Sequence, residues 1–105
     1  MSYDDNQFIV PPSFIALFVP EGRIKPTEPR EVIAARYELC EDLAQMLVEH
    51  AQTVHFSTGV DEAEVLSRMQ RGLVAPEGTA AVVEEVEARW VTRRLAELLG
   101  WADPG

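Results

Sequence analysis

The sequence predicts an all-α protein, a small helical bundle of one short N-terminal helix and three longer helices. Three observations carry that expectation. Ile33, Tyr37, Cys40, Ala44, Leu47, Ala51 and Val54 alternate spacings of four and three, a heptad seam sustained over three repeats. Proline and glycine punctuate the chain into four helical stretches. No stretch of strand length alternates apolar with polar residues. With 105 residues the chain has the size of one domain, expected over 1–105 with flexible ends at 1–7 and 102–105.

The first helix is expected at about Pro12 to Val19, within the apolar run "FIVPPSFIALFVP" that begins at Phe8. Proline suits a first turn because its missing N–H would lack a helical partner there anyway. Pro20 then steers Val19 away from helical geometry and ends the run. Phe14, Ile15, Leu17, Phe18 and Val19 leave this short helix without a polar face, so something must cover it. "PEG" occurs at Pro20–Gly22 and again at Pro76–Gly78, and each copy reads as a turn.

The longest helix is expected from about Glu28 to Val54, with Thr27 as N-cap and Pro29 in the first turn. Val32, Leu39, Leu43 and Met46 widen its apolar seam beyond what a two-stranded coiled coil needs. Glu31, Glu38, Glu41, Asp42, Gln45, Glu49 and Gln52 form a face expected to be solvated. The third helix has the clearest local signal: Asp61 as N-cap, Glu64 at N3, and Val60 able to staple to Val65. Ala63, Leu66 and Met69 are expected inward, and Gly72 as the stop. The fourth helix is expected from Ala80 to Leu99, with Thr79 as N-cap. Val83, Val86, Trp90, Val91, Leu95 and Leu98 form its apolar side, and Gly100–Trp101 a Schellman ending.

Charge narrows the function classes. Eighteen acids against nine Lys and Arg give a formal charge of −9, which repels nucleic-acid phosphates and anionic lipid. The cations in view are Arg23 and Lys25, then Arg89, Arg93 and Arg94, without an aromatic or Gly-rich nucleic-acid motif beside them. No nucleic-acid or membrane partner is expected. The apolar run is broken by Pro11 and Pro12 and falls short of the roughly 20 residues of a spanning helix. "MSYDDNQ" places Asp4 and Asp5 where a secretory signal carries positive charge. A single cysteine, Cys40, fits a reducing compartment. The reading is cytoplasmic.

Catalytic and metal chemistry find little support. His50 and His55 are five apart, whereas two ligands on one helix face want a spacing of three or four. Cys40 stands on the apolar seam, with no basic neighbour to lower its pKa. Ser13, Ser57 and Ser67 occupy no nucleophile elbow, and no G-x-x-x-x-G-K-[ST] loop is present to hold ATP. No cofactor, metal or catalytic residue is expected. The alternative is a small-molecule or metal-assisted enzyme using His50, His55 and neighbouring carboxylates.

Two features look more like recognition. Arg94 projects from the apolar side of the fourth helix beside Glu87 and Trp90. It either snorkels along that face or pairs a carboxylate of a partner. "PPSFIALFVPEGRIKP" combines a short apolar helix, a stiff exit and two cations on an acidic chain. It either closes one end of the core or docks another protein. The candidate interaction residues are Phe14, Leu17, Phe18, Arg23, Lys25, Trp90 and Arg94.

The stretch "FIVPPSFIALFVPEGRIKPTEPREVIAARYELCEDLAQML", continued by "RRLAELLGW", resembles a family of small proteobacterial proteins. Some members carry the label of an ATPase with chaperone activity. The resemblance implies a bacterial cytoplasmic protein with an adaptor or chaperone-associated role. The missing P-loop speaks against the ATPase part of that label. Together these readings point to a non-catalytic protein-interaction module of adaptor, regulatory or chaperone-like type, with another protein as partner and a homodimer possible.

Overall fold

The protein is a small all-α bundle. The computed structural model describes residues 10–74 and 83–103, which contain four helices and no strand. Helix α1 spans Pro12–Ile15 and tightens into a 3-10 turn over Ala16–Phe18. Helix α2 spans Arg30–Thr58, α3 Glu62–Val74 and α4 Glu85–Leu99. Contacts divide the chain into two compact units, one up to Leu39 and one from Cys40 onward, and α2 runs through both. No described helix is long and apolar enough to cross a membrane.

In the first unit, Pro11 stands extended before α1, and its carbonyl accepts the Phe14 and Ile15 N–H groups at 3.0 and 3.1 Å. Proline therefore starts this helix as expected, although the α-helical part ends at Ile15. Phe14 is fully buried. Its ring meets Phe18 at 5.5 Å and the edge of Tyr37 at 5.6 Å, the tilted and T-shaped contacts that aromatic quadrupoles favour. Ile33 is buried as well. Phe8 lies outside the described residues, as do the expected tail at 1–7, the second "PEG" turn, and Thr79 and Ala80.

In the second unit the core joins Ala51 of α2, Val65, Leu66 and Met69 of α3, and Leu95 and Ala96 of α4. Leu47, Val48, Val54, Val60, Leu99 and Trp101 pack around it. The seam expected on α2 is the buried one: Cys40, Ala44 and Ala51 are fully covered, and Leu47 and Val54 half-covered. Val65, rather than the exposed Ala63, joins Leu66 and Met69 inside. Val32, Met46 and Val86 are exposed. Periodicity places such residues beside an apolar seam, but a neighbour must be present for burial to follow.

The helix ends sharpen the sequence reading. Asp61 caps α3 through Oδ1, which accepts the Glu64 N–H at 2.8 Å. Glu64 turns its carboxylate to Arg68 at 3.0 Å instead of back to the cap. Gly72 lies inside α3, which continues to Val74. Glycine costs a helix interior stability without forbidding it. Helix α2 begins two residues after the expected start, with the Pro29 carbonyl accepting the first N–H groups. It continues four residues past Val54 to Thr58. Helix α4 is capped at Glu84, whose N–H is accepted by the Glu87 carboxylate at 2.9 Å. It closes as expected: Gly100 adopts φ 75°, and the Trp101 N–H reaches the Ala96 carbonyl at 2.9 Å. That left-handed position is one a side chain would strain.

Candidate functional site

The loop between α1 and α2 is built by a tight turn and a double hydrogen bond from Thr27. The Arg23 N–H donates to the Pro20 carbonyl at 3.0 Å, closing a tight turn with Gly22 at φ 82°. Positive φ at the third turn position is where glycine is favoured. The Thr27 N–H then donates to the Phe18 carbonyl at 2.7 Å, and the Thr27 hydroxyl reaches the same oxygen at 3.2 Å. Thr27 is therefore a loop clasp and not the N-cap of α2. Two donors on one acceptor hold the loop's ends together.

What the clasp presents is distinctive. Every residue from Pro20 to Val32 is exposed, and Ile24 is 91% exposed. Arg23 and Lys25 flank it, and both are exposed on a chain of net charge −9. A large apolar side chain between two cations gains nothing from water and is left almost wholly uncovered by the described residues. Beneath the loop, Leu17 and Phe18 are half-buried, whereas Phe14 has no surface to offer. Ile24 is not among the residues that the sequence pattern selects, although "RIK" carries the signal: it is the only large apolar residue in "EGRIKPTEP".

Trp90 and Arg94 belong to the second unit. Trp90 is half-buried on α4. Arg94 donates from Nε to Glu41 at 2.9 and 3.2 Å, from Nη2 to Glu41 at 3.0 Å, and from Nη1 to Glu97 at 3.0 Å. Its carboxylate partner thus comes from α2 of the same chain. Gln45 donates to Glu41 at 2.8 Å; paired with Arg94, Glu41 is half-buried and not on the solvated face expected for it. The hydrogen bonds from Arg94 hold the Glu41 carboxyl below its ordinary value, against the opposing effect of burial. The same bonds raise the Arg94 guanidinium still further.

The histidines do not form a shared site. His50 is exposed on α2. His55 is half-buried, with Nδ1 at 2.7 Å from the Val60 carbonyl and its ring against the edge of Trp101 at 5.2 Å. Among the described residues no three His, Cys, Asp or Glu side chains come together as a metal site would require. Cys40 is fully buried on the seam.

No family model, curated protein or solved structure matches this chain. The functional reading therefore stands on the geometry of the loop and the chemistry of its residues.

Proposed function

We propose that the protein is a non-catalytic protein-interaction module, of adaptor, regulatory or chaperone-like type, that recognises its partner through the clasped loop. The observation that carries this reading is Ile24, held out between Arg23 and Lys25 on a loop whose ends are fixed to one carbonyl oxygen. A pre-ordered loop loses less conformational freedom on binding than a free one. The cations favour an acidic partner surface, adding on-rate and orientation, while Ile24 supplies the apolar contact. Leu17 and Phe18 offer a half-exposed apolar margin. A bacterial cytoplasmic setting and a chaperone-associated role, which the family resemblance implies, fit a module of this kind.

Affinity capture with Ile24→Asp and with Arg23→Glu/Lys25→Glu tests the reading. Both variants keep the wild-type helical circular dichroism, because all three side chains are exposed. They are expected to lose partners that the wild type retains. Retention of every partner by the folded variants, with an unchanged assembly state, sinks the proposal.

A further inference from the structure

Helix α2 carries a second orphan surface. Asp42, Met46, Glu49, Thr53 and Phe56 follow one another at spacings of four, three, four and three, so they share one face of the helix. All five are exposed, Met46 at 69% and Phe56 at 91%. This stripe runs two positions away from the buried seam of Cys40, Ala44, Leu47, Ala51 and Val54. It has the spacing of a helix contact without a described neighbour on it.

Its first three residues, Asp42, Met46 and Glu49, run acid, apolar, acid, which is the complement of the loop's cation, apolar, cation. Asp42 and Glu49 are seven residues apart, about 10 Å along the helix. Arg23 and Lys25 are two residues apart, at most about 7 Å between Cα atoms, and their long side chains can splay over the difference. We infer that the partner of the clasped loop is a second copy of this chain: Arg23 and Lys25 engage Asp42 and Glu49 of the other copy, and Ile24 packs on its Met46. This rests on the loop being the recognition surface, as proposed above, and names what it recognises. Reciprocal exchange engages both orphan surfaces of each copy in a closed pair. A net charge of −9 opposes association at long range, but physiological salt screens beyond about 8 Å, which leaves the local match to decide.

A charge-swap experiment read by sedimentation equilibrium decides it. Wild type is expected to show twice the chain mass as concentration rises toward about 1 mM, a range suited to small interfaces. Arg23→Glu/Lys25→Glu and Asp42→Lys/Glu49→Lys each place like charges in contact, and each alone is expected to weaken association at least about tenfold. Mixed together, the two variants match again at both contacts and recover the dimer. Met46→Glu abolishes pairing without altering the helical signal. A monomeric wild type overturns the inference, as does a dimer that survives either swap alone, or a mixture that stays monomeric. A monomer whose loop variants still lose a captured partner overturns only this inference and leaves the interaction reading standing.

Discussion

Arg94 and Glu41 lie 53 positions apart and meet through a bidentate, charge-assisted pair. Because the Glu41 carboxyl is held below its ordinary 4.5, the stabilisation is complete above about that pH and is lost as pH falls through the lower folded value. Arg94→Gln is expected to cost about 1–3 kcal/mol at neutral pH. Chemical denaturation across pH should show that difference shrinking in acid, and an unchanged penalty at low pH contradicts it. His55 allows a second check. A carbonyl can only accept, so the Val60 contact places a proton on Nδ1. Nitrogen-15 NMR of the neutral ring is expected to show the Nδ1–H tautomer, with Nε2 as the bare nitrogen. The sequence singled out Arg94 but could not choose its partner, since 18 acids compete and spacing carries no information across 53 residues.

The helices themselves were legible where the signal is local or periodic. Asp61 is such a case: an Asp just before an apolar-periodic run is an N-cap by its chemistry, and it caps the Glu64 N–H, although the Glu64 carboxylate turns to Arg68 and leaves the expected box half made. The α2 seam repeats, so the buried positions reinforce one another. Gly72 and Gly100 show the limit, because one residue type serves two conformations. Gly100 is left-handed, whereas Gly72 is helical with open space around the position a Cβ would take. Gly100→Ala is therefore expected to destabilise by about 1 kcal/mol, and Gly72→Ala to stabilise by about 0.5–1 kcal/mol. Thermal melts of the two variants should shift in opposite directions, and shifts of the same sign refute the assignment. Met46 and Val32 depart from the periodic expectation for a related reason. Hydropathy reports which face could be buried, while burial also needs a neighbour to lie on that face.

For the molecule as a whole, each unit has its own apolar centre: Phe14 with Phe18 and Tyr37 in one, and Ala51, Val65, Leu66, Met69, Leu95 and Ala96 in the other. Phe14→Ala is expected to cost about 3–5 kcal/mol, since a fully buried ring leaves a cavity that the site cannot wholly refill. Native-state hydrogen exchange should report where that cost falls. Amides of α1 and the start of α2 are expected to exchange faster, with α3 and α4 retaining more of their protection. Equal acceleration throughout means that the two units open as one.

The clasp at Phe18 and Thr27 also makes the intervening stretch exchangeable. Its ends are set by donors on a single oxygen and its turn by Gly22, so the identities of residues 23–25 are free of the fold. Randomising those three positions, proline at 23 excepted because the Arg23 N–H closes the turn, should yield folded proteins; on the interaction reading proposed above, that makes the loop a cassette whose selectivity can diversify without renegotiating stability.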